Sequence, residues 1–271
     1  MTHLLRRTAR RTDGRIADGV RRMREEDRCM PLPKLPLKLI GQLERYHLAW
    51  WSRQLRRQPI LTDWNYTREA IFVHIPKTAG TSLTDALGAV PVFDSHAPAV
   101  IYRKADPDLF ARAYKFTVVR NPWDRLASSF HFMQSGTEWP MQQDWARRHL
   151  TGLDFAAFVR KLRNPWFRQE VLAERFFWPQ SFWLKDRDGR ILVDEIHRFE
   201  ELAAAVERIC AQCGIAAPTR MAEHRKSARA PSRQLYEDDE MIELVGRLYA
   251  EDIERFGYSF DANAPALVGA A

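Results

Sequence analysis

Two short stretches gather the side chains that can do chemistry: AIFVHIPKTAGTSLTDAL, residues 70–87, and KFTVVRNPWDRLASS, residues 115–129. In the first, an apolar run of strand type enters a glycine-containing turn and then a helical pattern. Such a junction leaves backbone N–H groups unpaired and turns the positive end of the helix toward the loop, which suits an anion. Gly80 lets the backbone come close, Thr78, Thr81 and Ser82 offer hydroxyls, and Lys77 adds a charge. The lysine precedes the glycine, so the stretch is not GxxxxGK[ST]. The second apolar run ends in Arg120, where a magnesium site beside a triphosphate would want a carboxylate. Two cationic sites without an evident metal carboxylate point to a nucleotide that carries phosphates at two separate places.

The elements that must position these groups follow from the pattern around them. AIFVHI (70–75) reads as a buried strand, with a helix ending at Gly88 after it, and VPVFD (90–94) as a second strand. DPDLFARAY (106–114) is helical, with Asp106 as N-cap and Pro107 in the first turn; KFTVVR is a third strand; Asn121 caps and Pro122 opens the next helix. Strand and helix in alternation imply an α/β fold: a P-loop-like parallel β-sheet flanked by helices, with an N-terminal helical extension. Further along come a tryptophan-rich helical middle (140–175) and a hairpin in which FWL and ILV flank Asp188-Gly189. A helix over FEELAAAVERICAQC, a basic loop HRKSARAP (224–231) and one final amphipathic helix, DDEMIELVGRLYAEDIERFGY, complete the pattern. Three parts result: a basic arm and helical extension (1–68), with its helix over 39–58, the main domain (69–260) and a tail (261–271).

Here the sequence becomes familiar. FVHIPKTAGTSL and FTVVRNPWDRLASSF resemble the two nucleotide-binding motifs of the carbohydrate sulfotransferases related to heparan sulfate 2-O-sulfotransferase and its bacterial relatives, sulfotransferase family 2. SHAPAVIYRK, LVDEIHRFEEL and LYAEDIERFGYSF resemble later landmarks of that family in the same order, so the likeness spans roughly residues 68–260. The resemblance implies a co-substrate, 3′-phosphoadenosine-5′-phosphosulfate (PAPS), no metal, and a hydroxyl acceptor on a glycan or glycolipid. It implies that Lys77, Thr78, Ala79, Gly80, Thr81 and Ser82 surround the 5′-phosphosulfate, and that Arg120 and Ser128 hold the 3′-phosphate. Lys77 would stabilise the charge that develops on the bridging oxygen as the S–O bond breaks.

Transfer to a hydroxyl needs a base, and histidine suits neutral pH. His96, in FDSHAPAV, follows the second strand and should share a sheet edge with Lys77; relatives carry a histidine in that stretch as base. His131 is the second candidate, and His74 inside the strand reads as a packed histidine. Asp124 either orients a base, caps the helix or pairs with Arg125. Arg225, Lys226 and Ser227 fall where relatives close a segment over the nucleotide, although EHRKSAR lacks the asparagine expected there. Trp139, Trp145, Trp166, Trp178 and Trp183 stand where an acceptor must bind, but core packing accounts for any one of them better than sugar stacking.

Bulk composition fits this picture. The 271 residues carry a net charge of +7 and are 45% hydrophobic, enough for one sizeable core and suited to anionic ligands. Residues 1–28 hold nine arginines against five acidic residues, an arm that can touch a membrane or stay solvated. No apolar run of about 18 residues spans a bilayer, and a cytoplasmic protein, peripheral to the membrane at most, is expected. Cys210 and Cys213 have CxxC spacing without a second ligand pair and read as core. Two rivals stand beside the sulfotransferase: a P-loop kinase or other phosphotransferase, and a non-enzymatic polyanion binder. Nucleic acid is not an expected partner, because a basic patch does not require the HIPKTAGTS geometry.

Overall fold

The computed structural model describes residues 60–89, 96–136, 140–219 and 232–261, all within one compact unit, Trp50–Ala271. The basic arm, the helix expected over 39–58, the strand expected at VPVFD, the basic loop at 224–231 and the tail beyond Asp261 lie outside the described residues.

Among the described residues one sheet forms from β1 (Ala70–Phe72), β2 (Tyr114–Val119) and β3 (Glu195–Arg198), all parallel and in the order β1-β2-β3. Phe72 pairs with Phe116, and Val119 with Arg198. The strand expected over 70–75 is shorter as a ladder. Val73 N–H still donates to the Phe116 carbonyl at 2.9 Å, and Thr117 Oγ1 donates to the Val73 carbonyl at 2.8 Å. Pro76 then offers no N–H, and the Ile75 carbonyl is taken by Thr78 Oγ1 at 2.9 Å, so the chain leaves the sheet there.

The helices, in chain order, are α1 (Asp63–Arg68), α2 (Gly80–Ala86), α3 (Ala99–Ala105), α4 (Pro107–Arg112), α5 (Pro122–Gln134), α6 (Pro140–Leu150), α7 (Phe155–Lys161), α8 (Pro165–Ala173), α9 (Gln180–Leu184), α10 (Leu202–Gln212), α11 (Ser232–Leu235), α12 (Asp239–Leu248) and α13 (Ala250–Phe256). Short 3-10 turns lie at Arg175–Phe177 and Phe199–Glu201. Local chemistry sets the ends that matter. Asp106 accepts from Leu109 N–H at 2.8 Å ahead of Pro107, and Asn121 Oδ1 accepts from Trp123 N–H at 3.1 Å ahead of Pro122. In α1, Asn65 Nδ2 donates to the Ala70 carbonyl at 2.9 Å, tying that helix to β1.

Two apolar clusters among the described residues pack around the sheet and α5. Phe116 and Val118 of β2 pack with Leu83 and Leu87 from α2 and its end and with Val206, Ile209 and Cys210 of α10. A larger core joins Trp123, Leu126 and Phe130 of α5 to Phe158, Val171, Phe177 and Val245. Cys210 and Cys213 are both buried in the first core, where burial pushes the Cys213 thiol up to about 11. Among the described residues no group of three or more His, Cys, Asp or Glu side chains is placed to hold a metal ion. No helix among them is long and apolar enough to cross a membrane.

Two expectations need correcting. The Asp188-Gly189 reversal forms a short hairpin, with Gly189 at φ 80, Lys185 bridging Ile191 and Leu192 N–H donating to the Leu184 carbonyl at 2.8 Å, but Phe182–Leu184 belongs to α9 rather than to a strand. Asp186 organises the turn, accepting from Asp188 and Arg190 N–H at 3.1 and 3.0 Å. The final helix is two helices broken at Tyr249, whose backbone sits at φ -115 and ψ 29. Tyr249 is buried there and donates its hydroxyl to the Phe177 carbonyl at 2.9 Å.

The break brings Asp252 of α13, 0% exposed, against α9, where it accepts from Gln180 and Ser181 N–H at 2.6 and 2.8 Å. Gln180 in turn clamps the backbone of Arg120: its Oε1 accepts from Arg120 N–H and its Nε2 donates to the Arg120 carbonyl, both at 2.8 Å. Asp252→Ala leaves two buried N–H groups unsatisfied. It is expected to lower the unfolding free energy in urea by about 3 kcal/mol.

Candidate active site

Parallel strands end at the same edge, so the chain leaving β1 and the chain leaving β2 arrive side by side. Beyond β1 the loop Pro76–Ala79 enters α2 at Gly80. Lys77 and Ala79 adopt left-handed backbone conformations, φ 70 and 66, a local strain that side-chain-bearing residues tolerate only where surroundings enforce it. Thr78 is fully buried and spends its hydroxyl on the Ile75 carbonyl; Ser82 is buried and Thr81 exposed. Thr84 Oγ1 donates to the Gly80 carbonyl at 2.8 Å.

Beyond β2, Arg120 lies against this loop. Its Nη1 donates to the Lys77 carbonyl at 3.1 Å and reaches Ser128 Oγ at 3.4 Å. Nε donates to Asp124 at 2.5 Å, Nη2 also pairs with that carboxylate, and the guanidinium carbon lies 4.0 Å above the Phe199 ring. Asp124 therefore pairs with Arg120 rather than with Arg125. Lys77 Nζ sits 4.1 Å from the centre of the Phe132 ring.

His74 and His96 share the site. Their ring centres are 4.0 Å apart, and His96 Nδ1 lies 3.2 Å from the His74 carbonyl. A carbonyl only accepts, so Nδ1 carries the proton and Nε2 keeps its lone pair. The His96 ring also stands roughly perpendicular to Phe176 and Trp183, with ring centres 6.2 and 6.4 Å apart. Burial holds the His74 imidazolium down to about 3, helped by the nearby positive charges of Arg175 and Lys77. Burial, then His74 and Arg175, hold His96 well below the usual histidine value. Both rings are therefore neutral at physiological pH. His131, the second base candidate, packs against Phe130 and Phe155 in the α5–α7 interface, at 5.2 and 6.2 Å between ring centres. Of the tryptophans, Trp145, Trp178 and Trp183 are buried, whereas Trp166 is 78% exposed. Trp139 and the Arg225–Ser227 loop lie outside the described residues.

Sequence reasoning missed Arg125, Phe132, Arg175 and Phe176. One signal was present: Asp124, Ser128 and Phe132 are spaced by four, so they form one stripe of α5 facing Arg120 and Lys77. The other residues arrive by long-range packing and carried none.

At the carboxyl edge of this parallel α/β sheet, the edge where open α/β sheets take their ligands, two strand-end loops bring together Lys77, Arg120 and a neutral histidine. The sulfotransferase family model matches residues 63–259, and the chain belongs to that family. No curated protein and no solved structure matched the chain.

Two outcomes are expected from this geometry. A Cβ on Gly80 would stand 1.6 Å from His74 Nε2, and that ring is wedged between Phe72 and His96. Gly80→Ala should destabilise the fold by about 1–3 kcal/mol, and less than additively in the His74→Ala background, as a double-mutant cycle by chemical denaturation would read. The pH dependence has a fixed sign. The unfolded chain binds protons at both histidines below about 6.5 and the native chain does not. Stability is thus full above that pH and falls on acidification toward 3, by at most about 1.4 kcal/mol per pH unit per histidine. His74→Gln should flatten the slope.

Proposed function

We propose that the chain moves the sulfuryl group of PAPS to a hydroxyl acceptor, a saccharide or glycolipid, by in-line transfer with His96 as base. One observation carries this: the guanidinium of Arg120 touches the Lys77 carbonyl at 3.1 Å and Ser128 Oγ at 3.4 Å. The two loops thus form one site with two cationic ends, suited to a nucleotide bearing a 3′-phosphate at one end and a 5′-phosphosulfate at the other. The P-loop-like turn through Lys77–Ser82 receives the phosphosulfate. Arg120 and Ser128 receive the 3′-phosphate, which competes with Asp124 for the guanidinium.

In the transfer, His96 Nε2 accepts the proton of the acceptor hydroxyl as its oxygen bonds to sulfur, and the bond from sulfur to the bridging phosphate oxygen breaks. The products are a sulfate ester and adenosine 3′,5′-bisphosphate (PAP). Lys77 leaves the Phe132 face to meet the charge growing on the leaving oxygen, an interaction strongest in the transition state. Phe132 and Phe176, 5.0 Å apart between ring centres, offer apolar faces beside Lys77 and His96 against which a sugar ring can pack.

Incubation with radiolabelled PAPS and a panel of glycans, lipids and small alcohols tests the activity. Magnesium-dependent turnover of ATP instead would favour a phosphotransferase. Lys77→Ala should lower kcat by about 10²–10³, and His96→Ala by about 10²–10⁴, with PAP affinity by calorimetry nearly unchanged in the latter. Because His96 must be neutral and its protonation is suppressed, the acidic limb of kcat/KM should lie below the ordinary histidine value of about 6.5; a limb at or above it would contradict the base assignment.

A further inference from the structure

Arg125 has no role in the chemistry so far, yet it is the most deeply buried cation near the site, at 1% exposure. Its Nε donates to the Pro76 carbonyl at 3.1 Å and its Nη2 to the Phe176 carbonyl at 3.3 Å. Those carbonyls belong to different halves of the site. Pro76 immediately precedes Lys77 in the donor loop. Phe176 meets His96 with its ring and packs on Phe132, the ring under Lys77 Nζ. Among the described residues no carboxylate pairs with Arg125. Asp252, whose charge it feels, spends both oxygens on Gln180 and Ser181 N–H. A buried guanidinium held only by carbonyls, with no carboxylate to balance its charge, is a poor way to gain stability, since apolar side chains of similar volume do at least as well. What it does supply is a rigid planar fork that two carbonyls can share.

We propose that Arg125 is a positioning residue for the transfer: its guanidinium fixes the Lys77 loop against the Phe176 turn and so sets the separation between leaving-group cation and base. The inference presupposes the sulfuryl transfer proposed above. Misplacing reacting groups by about 1 Å costs on the order of a hundredfold in rate, so the effect belongs in kcat rather than in nucleotide binding. Ser129 provides the internal control. It is fully buried and donates to the same Phe176 carbonyl at 2.8 Å, but makes no bond to the loop.

The test uses the full chain and follows PAPS-dependent transfer, or slow hydrolysis of PAPS to PAP where no acceptor is at hand, together with PAP calorimetry and thermal unfolding. Arg125→Lys keeps the charge but cannot bridge both carbonyls; kcat should fall about a hundredfold with KM for PAPS and PAP affinity within about threefold. Ser129→Ala should lower Tm yet change kcat by less than about threefold. Should Arg125→Lys fail to fold, Arg125→Gln, which removes the buried charge and retains one planar donor, is judged by the same numbers. A folded Arg125 variant with kcat near wild type, or an equal kcat loss in Ser129→Ala, overturns the coupling while leaving the sulfuryl transfer intact. Wild-type protein that neither binds PAP nor consumes PAPS overturns both.

Discussion

A single buried guanidinium bridges two segments beside the candidate site. Arg125 projects from α5 between the loop after β1 and the 3-10 turn before α9, donating to one carbonyl of each. Neither segment belongs to the sheet or to an α-helix, and each has a backbone carbonyl satisfied by this side chain. The neighbouring stripe of the same helix, Asp124, Ser128 and Phe132, serves Arg120 and Lys77. One helix therefore sets the relative position of nearly every cation at the sheet edge.

Support for that helix end comes from far along the chain. Asp252 holds α9 by two backbone N–H groups, and Gln180 holds the Arg120 backbone by a matched donor and acceptor. Gln180 thus treats the residue after β2 as a neighbouring strand would, satisfying its backbone groups just where the sheet stops. The result is an arginine whose backbone is fixed while its side chain, half-buried between Phe199 and Asp124, faces the loop of Lys77.

Much of the site is arranged at some cost to the fold. Lys77 and Ala79 occupy left-handed conformations, two imidazoles are packed ring to ring, and Gly80 leaves room for His74 that no other residue type would. Together these features place two neutral, desolvated imidazoles beside a cationic loop. Burial keeps the histidines uncharged, and the same dry surroundings strengthen any contact between Lys77 and an anion.

How much of this could be read from the chain depends on range. The caps at Asp106 and Asn121, the prolines after them, the alternation that makes β1 and β2 parallel, and the glycine turn at Gly80 are local signals, because backbone hydrogen bonding and steric preference act over a few residues. The same local rules misread FWL as a strand and ran α12 and α13 into one helix. Burial of Tyr249 against the Phe177 carbonyl, and of Asp252 against α9, is a demand made by residues about seventy positions away. The sequence by itself determined the fold class, the family and the residue types at the two strand-end loops. Only tertiary structure decided that Arg120 meets Lys77, that His96 leans on His74 with its Nε2 unprotonated, and that Arg125 joins the two halves. Those contacts are set by packing and desolvation between distant segments, and no short-range pattern encodes them.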